Sequence, residues 1–214
     1  MNIANLSQKE LMYRVEVAVE AALRIPELQT VLQEHGLSAD KAKVGLSLIK
    51  EVTIWQKRQN DTQQNAADTQ NTLRQVRDSI DAIYRRHRVP ARFVYREDPK
   101  MLKKLQLHKP RQIRYTDWLE QVLALYDNLD SNEISGFGIL PKEISEVKKL
   151  VGQLTELNVL RNDARRQAQQ ATHAKQMAVH DLRQWFRRFI RASEFACQDD
   201  PQMLESMGVV VASK

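Results

Sequence analysis

The second half of the chain repeats the first at a shift of 102 residues, without a gap. Gly36 recurs as Gly138, Asn60-Asp61 as Asn162-Asp163, and Arg85-Arg86 as Arg187-Arg188. Asp98-Pro99 with Met101-Leu102 recurs as Asp200-Pro201 with Met203-Leu204. Between 36–102 and 138–204, 13 of 67 pairs are identical, where composition alone gives roughly four. An internal repeat constrains the fold twice over, because each copy has to suit the same layout. It predicts one repeat over 1–108 and a second over 109–214, integrated into one body.

Six glycines and six prolines in 214 residues leave long intervals free of both, and β-branched residues are sparse, which favours helix. Ser7 with Glu10 forms a capping box, and Leu11, Val15, Ala18, Ala22 and Ile25 follow at helical spacing. Pro26 is expected to kink this helix and Gly36 to end it. Ser38 then caps a long helix from Ala39 to about Arg88. Asp98-Pro99 and Asp200-Pro201 are start signals for short closing helices, an acceptor side chain followed by a ring with preset φ. A third helix is expected from Tyr115 to Asn132, and a loose tail over Gly208–Lys214.

The long helix carries Leu48, Val52, Trp55, Gln59, Thr62, Ala66, Thr69, Leu73, Val76, Ile80, Ile83 and His87 at spacings of four and three. Its copy carries Leu150, Leu154, Leu157, Arg161, Ala164, Ala168, Ala171, Lys175, Ala178, Leu182, Trp185 and Phe189. A seam of that period is the pattern of helices in long, shallow contact. Both seams are apolar at their ends and small or polar in the middle. The expectation is an all-α, elongated bundle of two helix–long helix–short helix units. Its long helices run antiparallel like a coiled coil about a pseudo-twofold axis, and each end gathers the start of one, the end of the other and a short helix. The competing reading breaks each long helix at Asn60-Asp61 and Asn162-Asp163, since Asn and Asp favour turns.

Catalytic motifs are absent: no glycine-rich phosphate loop, no nucleophile elbow, no His-Glu-x-x-His. His173 and His180 share a helical face without a Glu or Cys to complete a metal set, so no metal and no cofactor are expected. The lone Cys197 excludes an internal disulfide, and Asp199 and Asp200 beside it argue against a reactive thiol. No apolar run approaches the ~18 residues of a membrane span. The first residues lack the regions of a signal peptide, so the expected compartment is the cytoplasm.

Two features carry the functional expectations. Residues 81–114 hold eleven Lys and Arg against three Asp and Glu. Arg85, Arg86, Arg88, Arg92, Arg96, Lys103 and Lys104 are therefore a candidate interaction patch for nucleic acid, a membrane surface or an acidic partner. The bland alternative is that these cations solvate helix ends or pair with nearby carboxylates. The second feature is the polar waist, Gln59, Thr62, Arg161 and Lys175, where Arg161 and Lys175 either snorkel, pair with Asp61 or Asp68, or line a wet cleft. The expected function is a non-enzymatic helical scaffold or protein-interaction module with an unknown protein partner. Nucleic-acid binding through 84–114 is the alternative, and a ligand-binding or enzymatic bundle using the waist is the second. A homo-oligomer is open.

Overall fold

The computed structural model describes residues 3–209, and every regular element among them is helical. A 3-10 turn at Ile3–Asn5 precedes α1 (Gln8–Arg24). Ser7 Oγ accepts from the Glu10 amide at 3.3 Å. Glu10 does not complete the box; its carboxylate takes Arg14 at 3.3 Å instead. The chain breaks at Pro26 where a kink was expected. Proline disfavours helical geometry in the residue before it, so Ile25 is extended and Pro26 starts α2 (Pro26–Glu34). Gly36, at φ +75°, lets the Leu37 amide return to the Leu32 carbonyl at 2.8 Å and closes α2.

The two long helices, α3 (Ala39–Val94) and α7 (Pro141–Ala196), each span 56 residues. Both pass unbroken through their Asn-Asp pairs. The side-chain amides there are occupied by neighbouring side chains, which leaves the helical backbone undisturbed: Asn60 accepts from Gln56 at 3.0 Å, and Asn162 from Arg161 at 3.0 Å. α3 also outruns its expected end at Arg88 and carries Pro90 inside its last turns. Every residue of both seams is buried or half-buried. Toward the ends the buried face widens to take in Tyr84 and Ala91 on α3 with Tyr95 just after it, and Phe186 and Ile190 on α7 with Cys197 just after it. That widening separates a core-facing helix from a narrow coiled-coil stripe.

Asp98 caps α4 (Pro99–Lys104), accepting from the Lys100 and Met101 amides, each at 3.0 Å. The expected third helix is shorter than its pattern. α5 covers Tyr115–Asn128, Leu129 turns extended, and Asp130 caps a separate α6 (Ser131–Ser135) by accepting from Asn132 N at 2.8 Å. Asp200 accepts from the Gln202 amide at 3.2 Å, but regular helix starts only at α8 (Met203–Ser206). Of the expected loose tail, Gly208 is held by Arg14 through its carbonyl at 3.2 Å and Val209 is buried. Residues 210–214 lie outside the described residues.

The chain divides into two compact units, and each takes residues from both sequence repeats. The first unit comprises residues 1–64 and 166–214. In it α1 and α2 join the first part of α3 and the last part of α7 around Leu11, Val15, Leu28, Val52, Leu182 and Phe186. The second unit comprises residues 65–165. There α5 and the segment after α4 join the last part of α3 and the first part of α7 around Ile80, Tyr84, Leu105, Trp118, Leu125 and Val147. Side chains of this size, fully buried, each contribute roughly 1.5–3 kcal/mol.

Candidate functional site

In the second unit part of the basic stretch is engaged in lacing. Asp81, on the buried side of α3, accepts from Arg111 Nε and Nη2 at 2.8 and 2.7 Å, from Trp118 Nε1 at 2.9 Å, and pairs with Arg85 at 2.6 Å. Burial alone would raise its carboxyl; the hydrogen bonds from Arg111, Trp118 and Arg85 outweigh it and hold the group below the usual carboxylate range. The linker after α4 is fastened to the same region. Arg88 donates to the Lys109 carbonyl, Gln121 Nε2 to the Pro110 carbonyl at 3.0 Å, and Arg77 to the Ile113 carbonyl at 2.8 Å. The Arg77 guanidinium also lies over the rings of Trp118 and Tyr115, at 5.2 and 5.7 Å.

A second cluster forms nearly two turns further along α3, at His87. His87 is buried, with Nδ1 3.1 Å from the Tyr126 hydroxyl and Nε2 3.5 Å from Glu143. Burial pushes the imidazole below its ordinary pKa, against the pull of Glu143. Glu143 reaches back to the Leu140 amide at 3.2 Å and pairs with Arg86; the amide bond and the Arg86 charge keep it ionised below the usual range.

The seven candidate cations thus fall into distinct settings. Arg85 and Arg86 keep exposed side chains while pairing with Asp81 and Glu143. Arg88 is buried, and its Nε lacks a hydrogen-bond partner. Arg96 pairs with Glu97 at 3.0 Å and lies 5.1 Å over the Phe93 ring. Arg92, Lys103 and Lys104 are exposed and make no ion pair among the described residues.

The four waist residues have separate local settings. Gln59, Thr62 and Lys175 belong to the first unit and Arg161 to the second. Gln59 donates to Thr172 Oγ1 at 3.1 Å. Thr62 bonds back to the Arg58 carbonyl at 2.9 Å and borders a recess of about 230 Å3 with Trp55, Arg58 and Gln170. Lys175 is half-buried on a different, open cleft beside Gln8, His180 and Arg183. Arg161 donates to Asn162 at 3.0 Å while its Nε stays without a partner. Among the described residues no group of His, Cys, Asp and Glu has the arrangement of a metal site. Cys197 is buried, and burial together with Asp200 raises its thiol pKa.

The sequence patterns pass over a third feature, an exposed aromatic pair in each unit. In the second unit Phe93 and Phe137 lie 5.9 Å apart and remain 56% and 47% exposed, with Val89 and Leu140 also exposed. In the first unit Phe195, 64% exposed, meets His35 edge-on at 5.7 Å. Both pairs lie off the seams, so helical periodicity does not select them. The available signal was the repeat itself, because Phe93 and Phe195 are one of its 13 identical pairs. No helix among the described residues is long and apolar enough to cross a membrane. No protein-family model, no curated protein and no solved structure matches this chain.

Proposed function

We propose that the protein is a non-enzymatic helical scaffold, a protein-interaction module whose working surface is its exposed aromatic side chains. The observation that carries this reading is the solvent-facing Phe93–Phe137 pair. Exposed aromatics grouped with aliphatic neighbours mark interaction surfaces, whereas single exposed apolar residues do not.

The architecture proposed with it is a tandem duplication folded about a pseudo-twofold axis, with the long helices antiparallel. Several features support it. α3 and α7 start and stop 102 residues apart. Gly36 and Gly138, one turn before each, both have positive φ. Within the first unit Gly45 faces Trp185 and Gln59 faces Thr172, so position numbers fall along α7 as they rise along α3. The ring pairs Phe93–Phe137 and Phe195–His35 exchange under the same shift.

A second reading, nucleic-acid binding, draws support from the free exposed cations Arg92, Lys103 and Lys104. One experiment separates the two. A photo-crosslinking amino acid placed at Phe93, or at Leu140, is irradiated in cells. Protein adducts support the scaffold; adducts to nucleic acid alone, or none at either position, overturn it.

A further inference from the structure

We infer that the second unit carries a binding pocket for a primary ammonium group on an aliphatic stem, the chemistry shared by a partner's lysine side chain and a free polyamine. The inference stands apart from the scaffold reading. A recess of about 570 Å3 opens where the end of α3, the start of α4 and the α5–α6 junction meet, and its whole lining belongs to this unit. Tyr95 lines it and is only 5% exposed. The Tyr95 hydroxyl makes no hydrogen bond, although the Glu133 carboxylate and the Asp130 backbone stand beside it. A buried hydroxyl without a partner is costly, and this one borders a polar recess. Burial, reinforced by Glu133, pushes its pKa up to about 12, so it is a neutral phenol that accepts as well as donates.

The other polar side chains of the lining offer acceptors. Asp98 commits Oδ1 to the Lys100 and Met101 amides, and Asp130 commits Oδ1 to the Asn132 amide, which leaves each with Oδ2. Asn128 directs its Nδ2 to the Ala124 carbonyl at 2.9 Å, which leaves Oδ1. No cation answers Asp98, Asp130 or Glu133 among the described residues: Arg96 turns to Glu97 at 3.0 Å, and Lys100, Lys103 and Lys104 are exposed. Single oxygens from separate groups suit a compact charge with three rotatable donors better than the planar fork of a guanidinium. They do not close on one metal ion, since no group of His, Cys, Asp and Glu among the described residues has that arrangement. Met101 supplies an apolar wall for the stem.

The pocket is particular to this unit. Under the shift of 102, Tyr95, Asp130 and Glu133 match Cys197, Leu28 and Val31, which belong to or pack against the apolar core of the first unit. Acceptors thus stand where the other repeat has dry packing. Departures from good packing of this kind are characteristic of functional sites.

The test is an NMR titration of the intact chain labelled at its methionine methyls, read at Met101 under constant ionic strength. The probes are spermidine, for the free amine, and Nα-acetyl-lysine methylamide, for the side chain; the Nε-acetylated form of the latter is the neutral control. Saturable binding at one site is expected, with no response to the control, and the tighter probe identifies the source. Glu133→Gln, at an exposed position, should weaken binding about tenfold or more. Tyr95→Phe should weaken it about fivefold while leaving the melting temperature unchanged or raised, because the unpartnered hydroxyl is gone. No saturable shift with either amine, or binding indifferent to both variants, would overturn the inference. So would magnesium or calcium acting at lower concentration than the amines, or amine binding seen only after Lys100→Gln, which would seat the chain's own lysine in the pocket. A lowered melting temperature for Tyr95→Phe would show that the hydroxyl is bonded within the fold, and would overturn it too. None of these outcomes bears on the crosslinks at Phe93 that test the scaffold.

Discussion

Trp185 lies so close over Gly45 that a Cβ on the glycine would sit 2.5 Å from the indole Cη2 and 3.0 Å from Val19 Cγ2. Gly45 is in the interior of a 56-residue helix, where glycine costs about 1 kcal/mol relative to alanine. Steric need overrides propensity at this position. In the second unit the positions matching Gly45 and Trp185 under the shift are Val147, buried, and Ile83, half-buried.

Gly45→Ala should therefore destabilise the protein despite its better propensity, by about 1–3 kcal/mol from overpacking. Gly152→Ala, at an exposed helical position with nothing within 4 Å, should stabilise it by about 0.5–1 kcal/mol. Urea melts check both. Trp185→Leu placed on Gly45→Ala should recover part of the loss, and a double variant no better than the single would show that the ring is not what excludes the Cβ.

Ile80→Ala should cost about 2–5 kcal/mol, because its side chain is wholly buried in the second unit. Thr62→Ala should be close to neutral: Thr62 is half-buried and bonds only to the backbone of its own helix, and alanine has the higher helix propensity. Chemical denaturation showing the reverse order would place the core elsewhere.

Asp81→Asn should cost about 2 kcal/mol, less than a fully buried pair because Arg85 and Arg111 both reach solvent. Asp81 has a depressed pKa in the fold. Its contribution is thus complete above the unfolded carboxyl value of about 3.9 and is lost as pH falls through the folded value. Melting temperatures between about pH 5 and 2 should fall more steeply for the wild type than for Asp81→Asn; parallel slopes would mean that Asp81 keeps its ordinary affinity for protons.

His87 works in the same direction at higher pH. Its folded pKa lies below the ordinary value, so the unfolded chain takes up the proton first. Stability is complete above about pH 6.5 and declines as pH falls toward the folded value. The residue matching His87 in the other repeat is Phe189. His87→Phe should flatten the stability profile just below about pH 6.5, while leaving Tyr126 without its partner and costing about 1 kcal/mol at neutral pH. An unchanged profile would show that other groups set the pH dependence.

Much of the fold was legible because helix has strong local signals. The Ser7 cap, the Asp98-Pro99 start, the Gly36 stop and the two seams all act over a few residues. The misjudged ends were decided by competing local chemistry. Proline at position 26 split a helix that periodicity ran together, and Asp130 captured the Asn132 amide for a new helix. Pro90 was passed over because the last turns of α3 are held by burial of Ala91 and Tyr95. The candidate sites were less legible. Lysines and arginines show charge in a sequence but not pairing, and the partners of Arg111 and Arg86 lie 30 and 57 residues away.

That pairing sets the expectation for nucleic acid. Arg85, Arg86, Arg88 and Arg111 are committed to Asp81, Glu143 or a backbone carbonyl. Phosphate contacts then fall to cations such as Arg92, Lys103 and Lys104, which are exposed and unpaired among the described residues. Affinity for single strands varies with salt as about 0.7 per phosphate neutralised on logarithmic axes, so the six exposed, unpaired cations of the stretch, Arg92, Lys100, Lys103, Lys104, Lys109 and Arg114, give a slope no steeper than about −4. Binding should be weak at low salt and vanish near physiological ionic strength, where the Debye length is about 8 Å. Reversing Arg92, Lys103 and Lys104 to Glu should weaken it strongly with the melting temperature unchanged, since none of the three has an ion-pair partner to lose among the described residues. The measurement is a fluorescence-anisotropy titration across salt. Sub-micromolar binding that persists at physiological salt, or a slope far steeper than these six contacts allow, would promote the nucleic-acid reading over the scaffold.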